Sequence, residues 1–240
     1  MLNNKKLIIF DMDGTLINSV GVWNDVDQEL IKRLGGMEKT DVSIQKQRDT
    51  LLAKYKDAKD PYVAYCAMLG ELCHSSLPPQ EIHDMRYGIS RDFLLHRVAY
   101  KEGVPQVLKK LKAAGKTLVI ATTTRKANMD IYRRKNENLL SQAPLDDFFT
   151  RIYTKEDAKH LKPDPEIYLT VMKDFKALPE DCFVFEDSLI GVEAAKSAGI
   201  ETAAIYDSYA EGDREEIRKL ADRYFASWQE VMEALVISSQ

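Results

Sequence analysis

The sequence predicts a doubly wound parallel α/β sheet with an all-helical cap domain inserted after its first strand. Three observations carry this expectation. A short apolar run, Leu7-Ile8-Ile9-Phe10, lacks the polar alternation of a strand with one wet face. Residues 17–99 show helical spacing and no convincing strand. From Lys101 onward, strand and helix patterns alternate, which implies parallel strands joined by crossover helices. The expected division is a core of residues 1–16 and 100–240 with a cap of residues 17–99.

The elements follow in order. Val22, Val26, Leu30 and Leu34 recur at four-residue steps, a helical stripe stopped by Gly35-Gly36. Pro61 and Pro78-Pro79 each suit the start of a helix, where a missing N–H costs nothing. Ile82, Met85, Ile89, Phe93 and His96 recur as one face of the helix that Pro78-Pro79 begins. Then come a helix over 104–114 ended by Gly115, a strand over 117–121 and a largely helical stretch over 126–140. A strand within 148–153, a helix over 165–175 and a strand over 182–185 follow. A helix over 190–198 closed by Gly199, a strand over 201–205 and an edge strand over 223–225 complete the reading.

Composition narrows the function. Among 240 residues, 45% are hydrophobic and 30% charged, as in ordinary globular proteins. A net charge of −4 argues against a nucleic-acid partner, which calls for a basic excess. It leaves room for a small anionic substrate held by local positive charge. No apolar run approaches the roughly 20 residues of a membrane span, so no membrane partner is expected. The first residues run straight into a strand and lack a secretory pattern. Cys66, Cys73 and Cys182 form no C-x-x-C pair, and the four histidines show no zinc spacing. The expectation is a reduced, cytoplasmic protein, monomeric or a small homo-oligomer.

Three of the four chemistry-bearing clusters end predicted strands, where open α/β sheets bind ligands, and the Lys162 loop opens a helix. Asp11 and Asp13 follow the first apolar run, and alternate residues of an extended chain face the same way. Both acids are placed to hold a hard cation while one carboxylate attacks phosphorus. An isolated Asp-Gly would equally begin a hairpin. Thr122-Thr123-Thr124 ends the 117–121 strand, where hydroxyls and helix-opening N–H groups suit a phosphate oxygen or simply cap a helix. Lys162, in Lys162-Pro163-Asp164-Pro165, offers charge from a loop stiffened by proline. Glu186 and Asp187 follow the 182–185 strand, as metal ligands or as partners of a helix dipole.

In this order the four clusters resemble the haloacid dehalogenase-like hydrolase superfamily, over nearly the whole length. Within it the chain is similar to the helical-cap sugar-phosphate phosphatase and β-phosphoglucomutase-like group. The resemblance implies that Asp11 is a nucleophile forming an aspartyl-phosphate, and that Asp13 is the general acid, then the base for water. It implies Mg2+ held by Asp11, Asp13 and Asp187, with Asp13 also using its backbone carbonyl and Glu186 a ligand or a near neighbour. It assigns phosphate oxygens to Thr122, the Thr123 amide and Lys162. Gly14 keeps the turn beneath the site uncrowded. The cap is expected to close over the site and choose the leaving group.

The carboxylate at Asp13 disfavours dehalogenation and phosphonate cleavage, and no D-K-T-G motif of ion-pumping relatives occurs. Thr15 resembles the phosphatases, whereas β-phosphoglucomutases carry Val there. The implied function is Mg2+-dependent hydrolysis of a small phosphorylated metabolite, such as a sugar phosphate. A phosphomutase and a catalytically silent phosphometabolite-binding protein stand as alternatives. Trp23 offers a face to a sugar, and Arg48, with Lys46, Arg86 and Arg91, offers charge to an anion; packing and a solvated helix face are the plainer readings. Two positions depart from the family pattern: Asn18 replaces a common Asp, and Leu161 a common Gly.

Overall fold

The structure, a computed structural model, describes residues 2–37, 41–55 and 61–237. The ends of the expected core range, residues 1 and 238–240, lie outside the described residues. The chain divides into two compact units, Met1–Ser19 with Val98–Gln240, and Val20–Arg97.

The first unit is built on β1 (Leu7–Phe10), β2 (Thr117–Ala121), β3 (Arg151–Tyr153), β4 (Cys182–Glu186), β5 (Glu201–Ile205) and β6 (Arg223–Phe225). They form one parallel sheet in the order β3-β2-β1-β4-β5-β6. All four residues of β1 and all five of β4 are buried, which is why these strands read as unbroken apolar runs. The order reverses at β1, which lies between β2 and β4, so the crevice beyond the carboxyl ends of these strands is the topological switch point.

The other unit holds α1 (Val22–Arg33), α2 (Asp41–Lys54), α3 (Pro61–Leu72) and α4 (Pro79–His96). Among the described residues it has no strand. Val22, Val26, Leu30 and Leu34 are buried along α1, as their spacing requires. Pro78 is the N-cap of α4 and Pro79 its first residue. On α4, His96 is exposed, and the buried face instead includes Arg86 and His83. The polar burial centres on Asp27, which is fully buried. Its carboxylate accepts from Arg86 Nε at 2.6 Å, Arg48 Nη1 at 2.8 Å and Tyr65 Oη at 3.0 Å. The Arg86 guanidinium lies over the rings of Trp23, Tyr62 and Tyr65 at 5.1, 5.0 and 5.7 Å.

The core unit continues through α5 (Val104–Ala113), α6 (Lys126–Arg134), α7 (Glu137–Leu140), α8 (Leu145–Phe148), α9 (Glu166–Phe175), α10 (Leu189–Ser197), α11 (Arg214–Leu220) and α12 (Trp228–Ile237). Val104, Val107, Leu108 and Leu111 form the buried face of α5. Ile167, Tyr168, Val171 and Met172 of α9 pack with Ala194, Ala195 and Ala198 against Leu7, Ile9, Val119 and Val184. No helix among the described residues is long and apolar enough to cross a membrane.

Candidate active site

Strand register brings the candidate residues together. Phe10 pairs with Ile120 on one side and with Phe185 on the other. The next residue of each strand is Asp11, Ala121 and Glu186, so the three chains leave the sheet at one level. The Asp11 N–H extends the ladder by donating to the Phe185 carbonyl at 2.9 Å, and Thr122 N–H donates to the Tyr153 carbonyl at 3.0 Å. Gly14, at φ 85°, then turns the chain back. Its requirement is this left-handed conformation, which a residue with a Cβ adopts at a cost.

Lys162 is 7% exposed and its ammonium is fully engaged. It donates to Asp11 Oδ1 at 2.6 Å, to Glu186 Oε1 at 2.6 Å and to the Ala121 carbonyl at 2.9 Å. Three donors therefore meet three acceptors. Burial opposes the charge, but Asp11 and Glu186 beside it hold the ammonium well above the usual amine range. The loop carrying it is clipped at its base by His160 and Glu166, 2.9 Å apart. Leu161 is 41% exposed.

Glu186 is wholly buried and has partners on both oxygens. Oε1 accepts from Lys162 and from Tyr168 Oη at 3.0 Å. Oε2 accepts from the N–H groups of Asp187 and Ser188 at 3.0 and 3.3 Å and from Ser188 Oγ at 3.2 Å. Gly191 makes room for it: a Cβ there would stand 1.9 Å from Glu186 Oε1.

Asp11, Glu186 and Asp187 each bring a carboxylate oxygen within 4.8 Å of the other two. Burial, with Glu186 adding repulsion against the pull of Lys162, pushes the Asp11 carboxyl up to about 8. Burial, then Glu186 and Asp11, raise Asp187 well above the carboxylate range. Buried oxygen donors that repel one another fit a hard divalent cation such as Mg2+. With both Glu186 oxygens engaged, Asp11 and Asp187 are the carboxylates best disposed to hold it.

The Asp13 carboxylate turns elsewhere. Oδ1 accepts from Ser19 Oγ at 2.5 Å and faces Tyr132 Oη at 3.5 Å, and Oδ2 accepts from the Thr124 hydroxyl. Thr122 Oγ1 accepts from the Thr124 N–H at 3.1 Å, which shapes the turn that presents Thr122 and Thr123. Asn18 ties the returning chain: its N–H donates to the Ala99 carbonyl at 3.1 Å, and its Oδ1 accepts the Ala99 N–H at 2.8 Å. In the helical unit, Trp23 is half-buried with its ring over Arg86. Arg48 donates to Asp27 at 2.8 Å and to Asn24 Oδ1 at 3.0 Å. Lys46 and Arg91 are exposed.

Residues 8–205 match the family model described as haloacid dehalogenase-like hydrolase. The chain belongs to this family. It is a phosphatase-type hydrolase. It is 27% identical to protein CbbY of Rhodobacter capsulatus over 226 residues, which span 87% of this chain and 88% of that protein. It is 27% identical to the phosphorylated carbohydrates phosphatase of Thermotoga maritima over 200 residues, 81% of this chain and 82% of that one. Among solved structures, a candidate β-phosphoglucomutase of Thermotoga maritima superposes with a TM-score of 0.77 at 25% identity, covering 96% of this chain and 98% of that one.

Several residues of the hydrolase's site were not singled out from the sequence. Tyr132 and Tyr168 occupy buried positions of α6 and α9, and Ser19 supplies a hydroxyl to Asp13. The available signal was a tyrosine on an apolar helix face, whose hydroxyl needs a partner when buried.

Proposed function

We propose that this hydrolase removes the phosphoryl group from a small phosphorylated carbohydrate, with Mg2+ bound beside Asp11. The single observation supporting this reading is the Asp11–Lys162–Glu186 arrangement with Asp187 beside it, at the switch point of the sheet. The named activity of the Thermotoga maritima relative supports the substrate class.

Asp11 attacks phosphorus through a carboxylate oxygen. The bond to the leaving oxygen breaks, and Asp13 gives that oxygen its proton. Asp13 then takes a proton from water, which attacks the aspartyl-phosphate, freeing inorganic phosphate and restoring Asp11. Lys162 offsets negative charge on Asp11 and the phosphoryl group, while Thr122 and the Thr123 amide hold phosphoryl oxygens. When bound, Mg2+ supplies charge neutralisation, held by Asp11, Asp187 and the Asp13 backbone carbonyl. Glu186 and Tyr168 act through Lys162 and fix its ammonium. Trp23 and Arg48 hold the cap together through Arg86 and Asp27. We place the enzyme in the cytoplasm, as a monomer or small homo-oligomer.

The test is a panel of sugar phosphates and other phosphoesters with Mg2+, scored as phosphate released. Asp11→Asn is expected to abolish turnover while circular dichroism stays unchanged. Retained turnover would refute the assigned nucleophile. A positional isomer of a hexose phosphate, formed in place of free phosphate, would establish a mutase.

A further inference from the structure

Asp187 is held by a hydrogen-bonded relay through Thr15 and Trp228. Thr15 is fully buried, and its hydroxyl donates to Asp187 Oδ1 at 2.8 Å across 172 residues of chain. The Thr15 carbonyl accepts in turn from the indole Nε1 of Trp228, at 3.0 Å across 213 residues. Trp228 is 1% exposed and opens α12. Its ring lies 6.1 Å from that of Phe10 and 5.0 Å from that of Phe185, the residues that end the apolar runs of β1 and β4.

We propose that Thr15 and Trp228 are positioning residues that set the orientation of the Asp187 carboxylate for its metal contact. This rests on the reading of Asp11 and Asp187 as metal ligands. A buried carboxylate rotates about its own bond unless a donor holds one oxygen. Thr15 holds Oδ1, so the plane of the carboxylate is set. The Thr15 hydroxyl is in turn held by where its backbone lies, and the Trp228 indole fixes the carbonyl of that same residue. Tilted ring contacts with Phe10 and Phe185 keep the indole from shifting. A hydrogen-bonded ligand gains in orientation, and removing such a support commonly weakens metal affinity about 10- to 100-fold. The relay also gives a physical meaning to threonine at position 15, since a valine of the same shape has no hydroxyl to donate.

The experiment is Mg2+ binding to the substrate-free full chain, measured by calorimetry and by the Mg2+-dependent shift in Tm. Thr15→Val keeps the volume and removes the donor. It is expected to raise the Mg2+ dissociation constant about 10-fold or more, while Thr15→Ser stays close to the unaltered chain. Trp228→Phe, which keeps a ring and loses the N–H, is expected to weaken binding less than Thr15→Val. A merely structural role would lower Tm without Mg2+ in Thr15→Val and leave the dissociation constant unmoved; that result overturns the inference. Asp187→Asn is the control. If it abolishes Mg2+ binding while Thr15→Val does not alter it, the inference alone fails. If the unaltered chain binds no Mg2+, the metal reading fails and takes this inference with it.

Discussion

Replacing Lys162 by methionine removes the ammonium and keeps most of the buried stem. In the native site that ammonium bonds Asp11, Glu186 and the Ala121 carbonyl at 2.6, 2.6 and 2.9 Å. The variant leaves two buried carboxylates and a carbonyl without that partner. Breaking a buried ion pair by removing one member costs about 3–5 kcal/mol. For a chain of this size, that corresponds to a fall in Tm of roughly 6–20 °C. The chemical effect is separate. Asp11 already stands at about 8 with Lys162 pulling its pKa down, so removing the lysine raises it further. Each further unit leaves about one-tenth as much ionised nucleophile at neutral pH. Together with lost charge compensation, kcat/KM is expected to fall about 100-fold or more. The assay is hydrolysis of p-nitrophenyl phosphate at sub-saturating Mg2+, where proton and metal compete for Asp11, between about pH 6 and 9, paired with urea unfolding. The ascending limb of the pH profile is expected to move to higher pH. Unchanged stability together with an unshifted profile would refute the role assigned to Lys162.

Other outcomes follow from the same geometry. The folded pKa of Asp11 lies above its unfolded value, so its protonation favours the metal-free fold at low pH, and this contribution is lost as pH rises through about 8. Mg2+ binds the ionised form, so the Mg2+-induced rise in Tm is expected to grow from about pH 6 to pH 9, and a flat dependence would contradict this. Tyr132→Phe removes the phenol facing Asp13; steady-state kinetics are expected to show kcat lowered about 3- to 10-fold with KM little changed. Asp27→Asn leaves the Arg48 and Arg86 guanidiniums without their buried counter-charge, and is expected to cost about 3–5 kcal/mol in denaturant unfolding. Gly191→Ala drives a methyl group into Glu186, and its signature is lost activity together with a lowered Tm.

Much of the fold was legible because its signals are local. The runs that became β1 and β4 carry no polar residue before their ends, and the α1 stripe repeats within a single helix. The stretch over 126–140 reads as largely helical, yet it breaks into α6 and α7 where Asn136 accepts the Leu139 N–H on its side chain. A capping side chain competes with the continuing helix, and which wins depends on packing. The seven-residue α11 carries too few turns to stand out from sequence spacing alone.

By itself the sequence specified the parallel α/β class, the helical insertion and the acids and lysine that gather at the strand ends. These rest on residue type and spacing, which the chain carries without folding. Tertiary structure alone decided which atoms meet. It set the strand order, engaged both oxygens of Glu186 with Lys162, Tyr168 and the backbone, and turned Asp13 toward Ser19 and Thr124. It also brought Trp228 to Thr15 and Thr15 to Asp187. Hydrogen bonds act over about 3 Å, whereas these partners lie up to 213 residues apart, so only the packed sheet could select them.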